Sequence, residues 1–208
     1  MPLKKSKILL SIAGSRLIIS RIFAVLIILI VVFTSHSFQQ ETTIDTGFEI
    51  VGLFLLTICS MGRLWALMYI SGYKSKGIIT DGPYSIVRHP LYMFSLIGAV
   101  GIGFASENLL VLGLIVIFYF LYYPLTILAE EEKLANKFGE VYLEYMKHTP
   151  RFLPNLRLYK EPESYKVNTA QFFKNFIDGL WFMWIFILLH FIEKLQTSGV
   201  IPILFRVP

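Results

Sequence analysis

The stretch GPYSIVRHPLYM, residues 82–93, places an arginine, a histidine and a proline directly before a run of mostly apolar residues. Proline suits the first turn of a helix, because the N–H that it lacks would have no partner there. We therefore predict that a helix begins at Pro90, with His89 at its cap and Tyr92 on its first turn. The unpaired N–H groups of such a terminus favour negative ligand groups, and Arg88 adds a cation.

The composition of the chain is typical of a small multi-pass membrane protein. Of the 208 residues, 55% are hydrophobic and only 16% are charged, and the mean hydropathy is +0.64. The predicted fold is therefore all-α: a polytopic membrane bundle of about five transmembrane helices, with residues 1–208 forming a single membrane domain. The third predicted span is short, since a comfortable span needs about 20 residues. The predicted spans are residues 17–33, 48–68, 91–105, 109–129 and 176–192.

The distribution of positive charge predicts the orientation of this bundle. If all five segments cross the membrane, 17 of the 19 Lys and Arg residues fall on the same side as the N-terminus. The positive-inside rule makes that side cytoplasmic. Basic loops facing anionic lipid head groups explain the net charge of +5, so no nucleic-acid partner is expected. We expect an integral protein of a bacterial or archaeal inner membrane or of the endoplasmic reticulum membrane.

Two polar segments on the predicted cytoplasmic side, residues 69–90 and 130–156, are expected to carry the function. The fourth span should continue as a helix beyond the membrane, because apolar and acidic residues recur at helical spacing as far as Phe138. Gly139 should interrupt that helix, and a further short helical stretch should follow. Residues 157–208 are predicted to be a linker and an additional C-terminal helix.

The two polar segments can bring charged and aromatic groups to one mouth at the membrane boundary. Tyr84 follows a turn signal, and Glu130 and Glu131 follow an antiparallel span that returns to the same boundary. Together with Arg88 and Tyr92 they would suit a zwitterionic or mixed-charge ligand. The alternative is that the arginine and tyrosines are interfacial anchors and the glutamates are solvated. The physics of these residues alone leaves both interpretations open.

Three other features have simpler interpretations. Cys59, the single cysteine, lies inside a span and is expected to be a packing thiol. Arg63, near the inner end of the second span, is expected to snorkel to the interface. The glycines of GAVGIG, residues 98–103, predict close helix packing rather than a dinucleotide loop, because no strand precedes them. No cluster of residues predicts a metal site.

Four motifs follow one another along the chain: GPYSIVRHPLY at 82–92, EEEKL at 130–134, FGEVYLEY at 138–145 and PRFLP at 150–154. In this order and at this spacing they resemble the isoprenylcysteine carboxyl methyltransferase and phospholipid methyltransferase superfamily. The resemblance covers roughly residues 48–156. It implies an integral membrane enzyme that binds S-adenosylmethionine without a Rossmann domain, in a cytosolic helical segment at the ends of its core helices.

The resemblance also implies which residues contact the cofactor S-adenosylmethionine. They are Lys76, Ile78, Ile79, Tyr84, His89, Pro90, Leu91, Tyr92 and Glu130.

The catalytic candidates depend on the acceptor of the methyl group. An anionic acceptor needs positioning and exclusion of water rather than a strong general base, and Arg88 and Arg151 are candidates to orient it. A protonated amine acceptor would need a base, and Glu131 and His148 are candidates for that role. The predicted partner is a lipid or another amphipathic small molecule within the membrane, and no oligomeric state is predicted.

Two positions depart from the pattern of the superfamily. Many members have glycine two residues after the tyrosine of RHPxY, where this chain has Phe94, so backbone approach should be restricted there. Isoprenylcysteine enzymes share an arginine one turn before the first glutamate, where this chain has Thr126. A prenylcysteine substrate is therefore not assigned.

The sequence leaves two alternatives to a methyltransferase. Some integral membrane reductases that use NADPH have a similar RHPxYxGE segment, but Phe94 and Ser95 replace the Gly-Glu pair here. A non-catalytic membrane protein or small transporter would be expected to carry ionisable residues deep within its spans, and the sequence has almost none.

Overall fold

The structure is a computed structural model that describes residues 7–36, 43–71, 77–165 and 167–207. In these residues the chain forms seven α-helices, one short 3₁₀-helix at Leu156–Leu158 and two three-residue strands. The helices are α1 (Lys7–Phe33), α2 (Thr43–Ile70), α3 (Pro83–Ile86), α4 (Pro90–Ala105), α5 (Leu109–Phe138), α6 (Glu140–His148) and α7 (Thr169–Thr197). The strands are β1 (Thr34–His36) and β2 (Phe205–Val207).

The long helices confirm the predicted helical membrane bundle. In the described part of the chain, α2, α5 and α7 are long and apolar enough to cross a membrane. Helix α4 has 16 residues, so at 1.5 Å per residue it is about 24 Å long and shorter than the roughly 30 Å hydrocarbon core. The apolar part of α1, residues 18–33, is also shorter than a typical membrane span. Full crossing by α1 and α4 therefore stays a prediction.

Glycines bring α2 and α4 close together, as the GAVGIG stretch predicts. A Cβ added at Gly98 would collide with Cys59 Sγ and with the ring of Phe182. One added at Gly101 would lie 3.0 Å from Leu55 Cβ. Cys59 is buried and free, as expected for a packing thiol. Together with the contact between Gly62 and the Phe94 ring, this packing places the start of α4 beside the C-terminal part of α2.

Gly139 separates α5 from α6, as predicted. Its backbone has φ 57° and ψ −134°, a combination that side chains rarely tolerate. Helix α5 runs nine residues past the predicted end of the apolar span at position 129, about 14 Å at helical rise. After the turn at Gly139, α6 places Tyr145 so that its O–H donates to Tyr84 C=O in α3.

Backbone hydrogen bonds tie the segment after α6 to the loop before α4. Arg88 N–H donates to Pro150 C=O at 2.9 Å, and Asn155 N–H donates to Ile86 C=O at 2.9 Å. The two polar segments predicted to carry the function therefore form one layer at this end of the bundle.

The opposite end of the bundle contains a feature that the sequence did not predict. β1 and β2 pair in parallel, with Thr34 opposite Phe205. Gln196 Nε2 adds hydrogen bonds to the carbonyl oxygens of Val31 and Val32, at 3.0 and 2.9 Å. The C-terminal tail is thereby attached to the end of α1. Three-residue strands are too short to produce a recognisable alternation of apolar and polar residues.

Candidate active site

A cavity of about 460 Å³ lies where the two polar segments meet the ends of α2, α4 and α5. Eight of the nine residues that the resemblance assigns to the cofactor line this cavity. The ninth, Lys76, lies outside the described residues. The eight are Ile78, Ile79, Tyr84, His89, Pro90, Leu91, Tyr92 and Glu130. The structure thus brings these residues together, and their contact with a cofactor stays a prediction.

The start of α4 forms one wall of this cavity. Pro90 occupies the first helical position and His89 the cap, as the sequence predicts. Tyr92 O–H donates to Glu130 Oε2 at 2.7 Å, and Tyr119 O–H donates to Tyr92 C=O at 2.7 Å. These two bonds join the first turn of α4 to α5, so the Glu130 carboxylate is held at the cavity wall.

Glu131, the next residue, has entirely different surroundings. Its side chain is only 5% exposed and does not line the cavity. Arg151 approaches it with both ends of the guanidinium group, Nη2 to Oε2 at 2.7 Å and Nε to Oε1 at 3.2 Å. His89 Nε2 lies 3.1 Å from the same Oε1. One buried carboxylate therefore connects α5 to the cap of α4 and to the segment after α6.

Arg88 completes the group around Glu131. Its Nη1 lies 2.8 Å from Glu131 Oε1, close enough for an ion pair, although the N–H is not aligned for a hydrogen bond. The Arg88 side chain is 9% exposed and also lines the cavity, whereas Arg151 is 47% exposed and does not. Of the four catalytic candidates, Arg88, Arg151, Glu131 and His148, Arg88 alone lines the cavity.

Three tyrosines around the cavity are neutral phenols, of which Tyr84 and Tyr142 are buried and Tyr145 is partly buried. Burial raises the pKa of Tyr84, Tyr142 and Tyr145 well above the usual value. Tyr145 O–H donates to Tyr84 C=O at 2.7 Å, whereas the hydroxyl groups of Tyr84 and Tyr142 are buried without a hydrogen-bond partner. All three line the cavity, so two phenol groups remain able to bond a ligand.

Several residues of α5 line the cavity although no role in the site was predicted for them from the sequence. Thr126, Lys133 and Lys137 line it together with Glu130. They are spaced three or four residues apart, so they share one helix face with Glu130, and that spacing was the signal available in the sequence. Tyr142 and Tyr145 belong to the FGEVYLEY motif, but no role was predicted for them.

Arg63, which the sequence predicts to snorkel to the interface, lines the cavity. Its Nη1 donates to Ser95 Oγ at 2.6 Å, and its guanidinium carbon lies 5.4 Å from the centre of the Phe182 ring. The departure at Phe94 is explained by packing: a Cβ added at Gly62 would collide with the Phe94 ring, so this ring fills the space beside α2. Phe94 does not line the cavity, so the restricted approach to the backbone that we expect at this residue concerns a position outside the cavity.

No group of three or more His, Cys, Asp or Glu side chains in the described ranges is arranged to hold a metal ion.

Comparison with known proteins gives three relatives and one matching family. The profile of the phospholipid methyltransferase family matches residues 50–141. The chain is 34% identical to the nickel-cobalt-cadmium resistance protein NccN of Alcaligenes xylosoxydans xylosoxydans, over 88% of this chain and 85% of that protein. It is 34% identical to the cobalt-zinc-cadmium resistance protein CzcN of Cupriavidus metallidurans, over 80% of this chain and 76% of that protein.

A more distant similarity connects the chain to an enzyme. It is 32% identical to the protein-S-isoprenylcysteine O-methyltransferase of Schizosaccharomyces pombe, over 56% of this chain and 51% of that protein. No solved structure matches the chain. Because the family match begins in α2 and runs through α5, a region that supplies most of the cavity lining, the chain belongs to the phospholipid methyltransferase and isoprenylcysteine carboxyl methyltransferase superfamily and is a membrane methyltransferase.

Proposed function

We propose that this methyltransferase uses S-adenosylmethionine and transfers its methyl group to a lipid or another membrane-partitioned acceptor. The observation that carries the proposal is the position of Glu130. Its carboxylate lies at the wall of a cavity of about 460 Å³ and is held there by Tyr92. A fixed carboxylate suits the hydroxyl groups of a ribose or the ammonium group of an amino acid, both of which this cofactor carries.

The size and lining of the cavity support a small-molecule cofactor. Ligand sites commonly have volumes of about 300–1,000 Å³, with apolar walls and a few convergent polar groups. Here the walls include Ile78, Ile79 and Leu91, while Glu130 and Arg88 supply opposite charges. A zwitterionic amino-acid end and an uncharged base would find matching surroundings in such a site.

The acceptor is proposed to enter from the bilayer. The cavity lies where the apolar part of α5 ends and its charged extension begins, a level suited to an amphipathic molecule with its head group at the interface. The basic residues on this side favour the cytoplasmic face, with the N-terminus on the same side.

The residues around the cavity support transfer by positioning rather than by a strong base. When bound, the cofactor supplies an electrophilic methyl group. Glu131 is surrounded by Arg88, His89 and Arg151, so it is suited to hold these residues in place. The other candidate base, His148, is exposed and lies 2.9 Å from Glu144. An acceptor that is already anionic fits these surroundings better than a protonated amine.

Calorimetric binding of S-adenosylhomocysteine to the detergent-purified protein tests this function. Binding is expected for the wild type, with affinity at least tenfold lower for Glu130→Gln, since a charge-assisted hydrogen bond is worth about 1.5–3 kcal/mol. His89→Ala should also bind more weakly. Glu144→Gln is the matched control, because Glu144 is an exposed glutamate that does not line the cavity. Absence of binding by folded wild type, or tighter binding of NADPH, would overturn the proposal.

A further inference from the structure

Arg63 is a cation inside the bundle that no carboxylate neutralises within the described residues. It lies seven residues before the end of α2 at Ile70, about 10 Å along the helix. Its Nη1 donates to Ser95 Oγ, and the hydroxyl group of Ser95 in turn donates to Leu91 C=O at 2.7 Å. Arg63 Nε is buried without a hydrogen-bond partner. Most of the five N–H donors of this guanidinium group therefore remain for another acceptor.

The hydroxyl group of Tyr84 is the second donor without a protein acceptor in this part of the cavity. It is buried and has no hydrogen-bond partner, although Tyr84 is held through its backbone by Tyr145. Arg63 and Tyr84 both line the cavity and are close enough to interact electrostatically. Burying a donor without a partner is unfavourable, so two such groups lining one cavity indicate a missing acceptor.

Glu130 is the one carboxylate among the described residues that lines the cavity, and its Oε2 accepts from Tyr92. It accepts no hydrogen bond from Arg63 Nε or from the Tyr84 hydroxyl group. The other charged lining residues, Arg88, Lys133 and Lys137, are all basic. An arginine within a transmembrane helix is costly unless it has a partner or a function. Arg63 contacts the Ser95 hydroxyl group and lies over the Phe182 ring, 5.4 Å from the ring centre to its guanidinium carbon, but neither group carries a negative charge. Its counter-charge is therefore expected to come from a ligand.

We propose that Arg63 and Tyr84 form an oxyanion subsite that takes a carboxylate or phosphate group of a bound reactant. The planar guanidinium fork matches the two oxygens of such a group, and the tyrosine hydroxyl supplies a further donor. The inference rests on the proposed function in that the reactant is either the cofactor, through its amino-acid carboxylate, or the acceptor, through an anionic head group.

Two pairs of probes distinguish these sources. The first is S-adenosylhomocysteine and its decarboxylated analogue, which differ only in the carboxylate. The second is dodecyl phosphate and dodecanol, which share a chain and differ in charge. Dissociation constants are measured in non-ionic detergent for the wild type, Arg63→Gln, Arg63→Lys and Tyr84→Phe. Arg157→Gln serves as the matched control, because it removes an exposed arginine that does not line the cavity.

The subsite is supported if Arg63→Gln selectively weakens the anionic member of one pair. If the affinity for S-adenosylhomocysteine falls at least tenfold while that for the decarboxylated analogue is unchanged, the subsite binds the cofactor carboxylate. If the affinity for dodecyl phosphate falls in the same way while that for dodecanol is unchanged, the subsite binds the acceptor. Arg63→Lys should restore part of either loss. Tyr84→Phe should weaken the same probe about fivefold without disturbing the fold, because its hydroxyl bonds no protein group.

The inference is overturned if Arg63→Gln and Tyr84→Phe leave both selectivities at the wild-type value. If the wild type fails to bind S-adenosylhomocysteine, the proposed function fails, and the dodecyl phosphate pair still decides whether the subsite exists. If Arg63→Gln does not fold, the decision rests on Tyr84→Phe.

Discussion

Replacement of Glu131 by glutamine should destabilise the protein more than any other single loss of charge around the cavity. Glu131 is 5% exposed and Arg88 is 9% exposed, so their pair is a buried one. Removing one partner of a buried pair typically costs about 3–5 kcal/mol, because it leaves an uncompensated buried charge. Glutamine keeps one acceptor oxygen, so the lower end, about 3 kcal/mol, applies. Arg151 is 47% exposed, and its contact adds at most about 1 kcal/mol.

The expected loss of about 3–4 kcal/mol corresponds to a fall in unfolding temperature of roughly 6–15 °C for a chain of this size. Thermal unfolding of the detergent-purified variant measures it at a fixed scan rate, since membrane proteins often unfold irreversibly. Glu144→Gln is the control: Glu144 bonds the exposed Lys147 and His148, so the variant should melt with the wild type. A Glu131→Gln variant that also melts with the wild type would show that the buried network does not hold the segments together.

Two further substitutions test the packing and the buried phenols. Phe94→Ala should lower the free energy of unfolding in chemical denaturation by about 3–5 kcal/mol, because it empties the space beside Gly62. A change below about 1 kcal/mol would contradict that packing. Tyr145→Phe should cost about 1 kcal/mol by removing the bond to Tyr84 C=O. Burial raises the pKa of Tyr145, so on raising the pH the unfolded chain loses this proton before the folded protein does. The stability that this neutral phenol contributes is therefore complete below about pH 10 and is lost as the pH rises further. Denaturation at pH 8 and pH 11 should therefore show a shallower alkaline decline for Tyr145→Phe than for the wild type, and equal slopes would refute the assignment.

Most of the secondary structure follows from local signals in the sequence. Pro90 and His89 start α4 because proline is tolerated only where a helix N–H needs no partner. Gly139 ends α5 because glycine, which has no side chain, readily adopts the positive φ of this turn. The long apolar runs of α2, α5 and α7 indicate membrane helices through composition alone. Each of these features depends on a few neighbouring residues, and each was accessible before the structure.

Part of the candidate site was accessible in the same way. The motifs around Tyr84, His89, Tyr92 and Glu130 identified residues that line the cavity. The role of Arg63 was not accessible, because its partner Ser95 is 32 residues away and on another helix. A lone arginine near the end of a span looks the same in sequence whether it snorkels to the interface or faces a cavity.

The sequence by itself determined that the chain is an all-α membrane protein, that α4 begins at Pro90 and α5 ends before Gly139, and which motifs connect it to a methyltransferase superfamily. Only the tertiary structure separated Glu130, at the cavity wall, from Glu131, buried among Arg88, His89 and Arg151. Consecutive residues on an α-helix point about 100° apart, so two adjacent glutamates must face different surroundings. Which of them meets the cavity depends on the rotation of α5 about its axis, and packing against α4 and the segment after α6 determines that rotation.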